Sequence, residues 1–150
     1  MIDYGESQEK AKILMEALPY VRQFRGSIFV VKYGGSFMDS PDTLVRSGVA
    51  KDLVFLHFVG IKVVVVHGGG KAISRELERR GIEPKFIDGL RVTDEQSIQV
   101  VDEVLNQTVN HEVADFVAEH DCEVERLPGK NLLSCKKIKS THDLGFVGEI

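Results

Sequence analysis

The sequence predicts an α/β protein with an open, mainly parallel sheet that has helices on both faces. Two apolar runs, residues 27–32 and 61–66, are rich in β-branched residues and predict strands. A glycine-rich loop and then a stretch with helical spacing follow each run, and this strand–helix–strand–helix order is typical of parallel sheets. The run 61–66 is uninterrupted, as expected of a strand buried on both faces.

The first 25 residues are predicted to form a helical extension that precedes the α/β lobe of residues 26–150. Ser7 is the candidate N-cap of this helix, and Pro19 is expected to kink or interrupt it. Its apolar side chains recur along one side of the helix, at Ala11, Leu14, Leu18 and Val21.

Two helices are predicted to follow the two strands. The first spans residues 40–59, with Ser40 as its N-cap and Pro41 at its first helical position. The second spans residues 71–80 and ends at Gly81, a common helix stop.

A long third helix is predicted over residues 93–119. Thr93 and Gln96 have the spacing of a capping box, and the apolar residues that follow repeat at helical intervals.

The sequence pattern changes after residue 121. Three short strand-like runs, 122–127, 131–138 and 144–150, are separated by turn-forming residues and predict an antiparallel hairpin or meander. The chain ends inside the last run with no helix after it, so the domain is expected to be incomplete.

Bulk properties exclude several classes of protein. The 150 residues suit one soluble domain, and a net charge of -4 argues against a nucleic-acid partner. There is no apolar run long enough to cross a bilayer and no secretory signal, so a cytoplasmic location without membrane contact is expected. Cys122 and Cys135 are expected to be free thiols, and no metal site is predicted.

Two glycine loops and one arginine form the candidate site. The loops end segments 31–35 (Val-Lys-Tyr-Gly-Gly) and 66–70 (Val-His-Gly-Gly-Gly), where backbone N–H groups can surround phosphates and Lys32 can supply positive charge. Arg91 on a later loop can clamp a carboxylate. Together these residues predict a kinase that joins a phosphate donor to a small carboxylic acid.

Simpler interpretations remain for each part of this site. The loop after Lys32 is, on its own, equally consistent with a strand that ends in an ordinary turn, and an isolated arginine is more often a surface residue. The triple glycine is more specific, because glycine costs backbone entropy and removes every side chain. Lys71 is followed by Ala72, so the spacing of a P-loop is excluded. A zinc-protease helix is excluded too, since Asp115 stands where a second histidine should follow His111.

With these motifs in order, nearly the whole chain resembles the N-terminal half of the acetylglutamate kinases in the amino acid kinase family. The two glycine loops are shared by many members of that family. More specific to acetylglutamate kinases are segments 88–94 (Asp-Gly-Leu-Arg-Val-Thr-Asp) and 143–149 (Asp-Leu-Gly-Phe-Val-Gly-Glu). The sequence departs from the family at Lys71, where proline is usual.

The resemblance implies a role for each candidate site residue. Lys32 would be catalytic, stabilising the transferred phosphoryl group, while Gly34 and Gly35 would offer N–H groups to the nucleotide phosphates. Gly69 and Gly70 would contact bound N-acetyl-L-glutamate, and its α-carboxylate would pair with Arg91. The nucleotide-binding half, with further catalytic residues, would lie beyond residue 150.

The resemblance also implies the reactants and partners. ATP with Mg²⁺ would be the co-substrate, and the γ-carboxylate of N-acetyl-L-glutamate would become an acyl phosphate in arginine biosynthesis. The N-terminal helix resembles the extension of arginine-inhibited members, which implies a homo-oligomer, dimer or hexamer, with L-arginine as a feedback inhibitor. Two alternatives remain open: the arginine-binding, kinase-like domain of an N-acetylglutamate synthase, and a non-catalytic fragment. An intact Lys32 and triple glycine favour the kinase.

Overall fold

The structure is a computed structural model that describes residues 4–35 and 40–150. Its helices and strands alternate in the order expected of an α/β lobe. They are α1 (Tyr4–Phe24), β1 (Ile28–Tyr33), α2 (Thr43–Phe58), β2 (Lys62–His67), α3 (Gly70–Arg79), β3 (Phe86–Ile87), β4 (Leu90–Arg91), α4 (Glu95–Glu103), a π-helical segment (Val104–Val109), α5 (Asn110–Ala118), a 3₁₀ turn (Gly129–Asn131), β5 (Lys136–Lys137) and β6 (Gly148–Glu149).

Strands β1 and β2 pair in parallel, from Ile28 opposite Lys62 to Tyr33 opposite His67. The predicted parallel α/β class is thereby confirmed, with each strand displaced by one residue toward the C-terminus. Parallel pairing brings the carboxyl ends of both strands, and hence both glycine loops, to the same edge of the sheet.

The two faces of this sheet differ in the described part of the chain. Helix α2 packs on β2 and buries Ala50, Leu53 and Val54. The opposite face exposes Ile28 at 65%, Val30 at 69%, Val64 at 44% and Val66 at 52% of their surface. The run 61–66 was predicted to be buried on both faces, but described residues cover only one of them.

A second apolar cluster joins α3 to the long helical region that follows it. Its buried members are Ile73, Leu77, Val100, Val104 and Val109. This cluster fixes the start of α3, and therefore the triple-glycine loop, against the π-helical segment.

Both predicted N-caps lie before the observed ones: Asp42, two residues after Ser40, caps α2, and Asp94, the residue after Thr93, caps α4. Asp42 Oδ1 accepts the N–H of Leu44 at 2.8 Å, and Asp94 Oδ1 accepts that of Ser97 at 2.8 Å. Both aspartates have the extended backbone that an N-cap requires. Thr93 is instead buried, with its hydroxyl donating to the carbonyl of Arg91 at 3.1 Å.

The helix predicted over 93–119 is present but not uniform. It consists of α4, the π-helical segment and α5 in direct succession. A π-helical turn inserts an extra residue into the helical repeat, which apolar spacing alone does not reveal.

Helix α1 runs from Tyr4 to Phe24 without interruption at Pro19. It starts before Ser7, so the predicted N-cap is wrong. Of the two effects expected of Pro19, a kink or an interruption, the interruption is wrong. An internal proline removes one hydrogen bond, and the bonds of the neighbouring turns maintain the helix. Ile13, Leu14, Met15 and Tyr20 are exposed, while Phe24 contacts Phe29 of β1 edge to face at 5.4 Å between ring centroids.

The C-terminal region contains part of the predicted meander. Strands β5 and β6 pair antiparallel, with Lys136 opposite Glu149, but the first predicted strand, residues 122–127, is absent. A separate bridge joins Gly145 to Thr93: Thr93 N–H donates to the carbonyl of Leu144 at 2.9 Å, and Phe146 N–H donates to that of Thr93 at 2.7 Å. This bridge ties the two most specific motifs of the sequence to each other.

Candidate functional site

The two glycine loops are direct neighbours at the carboxyl edge of the sheet. Gly68 donates its N–H to the carbonyl oxygen of Tyr33 at 3.2 Å, one step beyond the last strand pair. Lys32 is exposed and alternates with Ile28 and Val30, so it lies on the open face of the sheet.

Close packing against described residues does not require glycine at most positions of the two loops. A Cβ added to Gly34, Gly68 or Gly70 would meet no described atom within 4 Å. Gly35 is also exposed. The backbone at these positions is therefore open to an approaching ligand, as expected where main-chain N–H groups bind phosphates.

Gly69 differs from these glycines because it is tightly packed. A Cβ at Gly69 would lie 2.6 Å from Leu105 Cδ2 and 3.5 Å from Val109 Cγ2. Both partners belong to the π-helical segment, so this segment packs directly on the triple-glycine loop. Such segments are frequent at functional sites.

His67 fixes the loop from its other side. Its Nδ1 lies 2.9 Å from the carbonyl oxygen of Gly68, which can only accept, so Nδ1 is the protonated nitrogen. Its Nε2 lies 3.2 Å from Asn110 Nδ2 and accepts from that amide. Asn110 follows the π-helical segment directly, and this contact could not be recognised from the sequence because 43 residues separate the partners.

Helix α3 begins in the glycine loop without a side-chain cap. Gly69 occupies the N-cap position and makes no capping bond. The positive end of the helix dipole therefore lies in this loop without a side-chain cap, which favours an anion there.

Arg91 reaches from β4 to this same helix start. Its Nη2 donates to the carbonyl oxygen of Gly70 and to Ser74 Oγ, each at 2.9 Å. The ring of Phe86 lies against the guanidinium, 4.6 Å from Cζ to the ring centroid. Nη1 is buried and has no acceptor in the described residues. Burial lowers the pKa of Arg91 from its ordinary value, because the charged group loses water.

A short hairpin, β3–β4, holds Arg91 in place and was not predicted. Phe86 pairs with Arg91 and Ile87 with Leu90. Asp88 and Gly89 have φ angles of 50° and 78°, as a two-residue hairpin turn requires. The Asp-Gly pair is the signal in the sequence that could have identified this hairpin.

The described residues include neither a metal-ion cluster nor a membrane-spanning helix. Within residues 4–35 and 40–150, no three His, Cys, Asp or Glu side chains are grouped to hold a metal. The helices of this part of the chain are also too short or too polar to cross a bilayer.

The part of the chain that contains these loops matches a known protein family. The profile of the amino acid kinase family matches residues 27–150, which includes both glycine loops and the β3–β4 hairpin. The chain belongs to the amino acid kinase family.

The relatives most informative for this member of the family are bacterial acetylglutamate kinases. The chain is 44% identical over 98% of its length to the acetylglutamate kinase of Thermoanaerobacter sp. (strain X514), and 43% identical over 97% to that of Aquifex aeolicus. It spans about half the length of these curated relatives, 49% and 54% respectively.

Solved structures support the fold. The chain resembles N-acetylglutamate synthase from Neisseria gonorrhoeae complexed with coenzyme A and N-acetyl-glutamate, with a TM-score of 0.71 and 26% identity over 90% of the chain. The same synthase complexed with coenzyme A and L-arginine gives a TM-score of 0.62. The chain covers 31% and 32% of those two proteins.

Proposed function

We propose that this chain forms the amino-acid-binding side of an acetylglutamate kinase. The reaction transfers the γ-phosphoryl group of ATP to the γ-carboxylate of N-acetyl-L-glutamate, a step of arginine biosynthesis in the cytoplasm. Identity of about 44% to acetylglutamate kinases across 98% of the chain supports this choice within the family.

The proposal rests mainly on Arg91, whose charge has no counter-charge among the described residues. The guanidinium is partly buried, and the acceptors of its hydrogen bonds in the described residues are neutral oxygens of Gly70 and Ser74. A buried cation without a counter-charge is costly, and a carboxylate ligand removes that cost. The α-carboxylate of N-acetyl-L-glutamate would occupy this position, with Gly69 and Gly70 beside it.

The phosphoryl side of the site would be built from the neighbouring loop. Lys32 places its charge at the same edge of the sheet, and the open backbones of Gly34, Gly35 and Gly70 provide N–H donors for phosphate oxygens. Phosphoryl transfer depends mainly on alignment and positive charge. The attacking γ-carboxylate, with an ordinary pKa near ~4.3, is already ionised at neutral pH, so no general base is required.

The Mg²⁺ that accompanies ATP has no evident site among the described residues of this lobe. The described residues bring no acidic cluster together, so we assign the ion no protein ligand here. Its binding would fall to the ATP phosphates and to residues of the second half of the enzyme.

A kinase-like domain of an N-acetylglutamate synthase is the second candidate. It is supported by the structural similarity to the Neisseria gonorrhoeae synthase. The lower identity, 26% against 44% for the kinases, favours the kinase, as does an intact Lys32, which a purely regulatory domain does not need.

The decisive experiment compares the full-length protein with this 150-residue chain in two assays. In an ATP-dependent hydroxamate assay the full-length protein is expected to phosphorylate N-acetyl-L-glutamate, and Lys32→Ala is expected to lower kcat more than it changes acetylglutamate affinity. An acetyl-coenzyme A assay is expected to show no acetylation of glutamate. The chain alone is expected to be inactive, because half of the relatives' length is missing from it. Acetyltransfer without phosphorylation would instead establish the synthase.

We also propose that the activity of the enzyme is controlled through its oligomeric assembly. The stripe of Leu14, Leu18 and Val21 on α1 is proposed to pack against another subunit in a homo-oligomer, dimer or hexamer. L-Arginine is proposed to act as feedback inhibitor through this extension. The 70% exposure of Leu14 supports a contact outside the lobe.

A further inference from the structure

Ser74 is the side chain that connects α3 to the guanidinium of Arg91. Gly70 and Ser74 are four residues apart on α3, so the carbonyl of one and the hydroxyl of the other lie on the same side of the helix. Both accept from the same nitrogen, Arg91 Nη2, at 2.9 Å.

The two bonds to α3 use only part of the N–H donors of Arg91. A guanidinium has five N–H groups, of which two belong to Nη2. Gly70 and Ser74 accept both of these. The remaining donors are those of Nη1 and Nε, and Nη1 is buried without an acceptor in the described residues.

Ser74 is needed in addition to the Gly70 carbonyl because one acceptor does not fix a plane. With a single bond from Nη2, the guanidinium could pivot about the Gly70 oxygen. The second bond, together with the Phe86 ring on its face at 4.6 Å, restricts that rotation. A hydroxyl in the second turn of α3 thus restricts the orientation of the guanidinium.

We infer that Ser74 is a positioning residue for substrate recognition, acting through Arg91. The choice of ligand rests on the proposed function, namely a carboxylate of N-acetyl-L-glutamate. Ser74 itself does not touch the reacting atoms. It fixes the Arg91 plane, and with it the directions of the Nε and Nη1 donors that α3 does not use.

The kinetic test uses the full-length protein and three variants, Ser74→Ala, Ser74→Thr and the control Ser47→Ala on α2. Ser74→Ala is expected to raise the KM for N-acetyl-L-glutamate about 3- to 10-fold, because Arg91 loses one of the two bonds that orient it and keeps the bond to Gly70. Its kcat and its KM for ATP should stay within about twofold of the unsubstituted protein, since neither depends on the Arg91 plane. Ser74→Thr keeps the hydroxyl and should restore the KM, and Ser47→Ala should not change it.

Three kinetic results would overturn the inference. One is an unchanged acetylglutamate KM in Ser74→Ala. A second is an equal rise for Ser74→Thr, which would assign the effect to helix packing. The third is a parallel rise of both KM values with a lower melting temperature, as a purely structural role predicts.

A spectroscopic measurement keeps the inference separate from the proposed function. Side-chain ¹⁵N–¹H spectra of Arg91 report whether its guanidinium rotates freely, with or without any activity. Restricted rotation lost in Ser74→Ala and retained in Ser74→Thr supports the positioning role even if N-acetyl-L-glutamate is not the substrate. Equally restricted rotation in both variants would refute it.

Discussion

The carbonyl oxygen of Tyr33 accepts the N–H of Gly68 at 3.2 Å, and this bond extends the parallel pairing of β1 and β2 into the two glycine loops. Lys32 lies on β1 just before the first loop, and the second loop leads into α3, to which Arg91 donates its hydrogen bonds. A ligand held at one loop is therefore within reach of the other. For a reaction that joins two substrates, this proximity is the main structural requirement.

Arg91→Lys is expected to weaken recognition of N-acetyl-L-glutamate by the full-length protein. Lysine keeps the charge but cannot bond Gly70 and Ser74 from one nitrogen while offering further donors in a plane. We expect the KM for acetylglutamate to rise at least about 10-fold, with the KM for ATP changed by less than about threefold. Steady-state kinetics with each substrate varied in turn measure both. Arg79→Lys, at the exposed end of α3, is the control, and equal changes in the two KM values would argue against the assignment.

Gly145→Ala is expected to destabilise the fold severely. Gly145 has a φ of 69°, and a Cβ there would collide with the carbonyl oxygen of Thr93. The strained backbone and the steric conflict together predict a loss of about 2–4 kcal/mol in the free energy of unfolding. Urea unfolding of Gly145→Ala beside Gly129→Ala tests this, since a Cβ at Gly129 meets nothing described within 4 Å. Similar stability of the two variants would contradict the bridge to Thr93.

Glu76 is expected to contribute acid-sensitive stability. Its hydrogen bonds to Arg79 and Arg80 lower its pKa to about 2 from the usual 4.5. A lowered pKa in the folded state means that the contribution is complete above pH 4.5 and is lost as the pH falls toward 2. Glu76→Gln should therefore flatten the dependence of the unfolding midpoint on pH across this window. Thermal melts from pH 6 to about 2 provide the measurement, with Glu78→Gln as control, and an unchanged slope in Glu76→Gln would disprove the contribution.

Deleting residues 1–25 from the full-length protein is expected to leave dimers and to abolish arginine inhibition. The reason is the exposed apolar surface of α1, which includes Leu14 at 70% exposure. Light scattering and an arginine titration of activity test both parts. Leu14→Glu should reproduce the deletion, whereas Lys12→Glu should not. Hexamers that persist after the deletion would indicate a helix that belongs to its own lobe.

The sequence was sufficient to predict the parallel strands and the positions of the glycine loops. Runs of β-branched residues ending in glycine have few other outcomes in an α/β chain. Arg91 was a candidate from its chemistry and its place on a loop, and the resemblance to a family implied its role. The structure adds its neutral partners, Gly70 and Ser74, and no counter-charge among the described residues.

What the sequence could not predict depends on contacts between distant residues. The π-helical segment against Gly69, the Asn110 contact to His67 and the bridge from Thr93 to Gly145 all join parts of the chain far apart in sequence. The missed N-caps have a local cause: Asp42 and Asp94 each stand beside another good capping residue, and propensity hardly separates neighbouring candidates.

Lys32 shares the open face of the sheet with Val30, two residues earlier on the same strand. Anyone who engineers this lobe for solubility would first place charges at the exposed valines of that face. An acidic residue at position 30 would neutralise part of the Lys32 field, and a basic one would compete with Lys32 for anions. On this surface, solubility and the electrostatics proposed for phosphate binding cannot be adjusted independently, so solubilising changes belong on the outer side of α2.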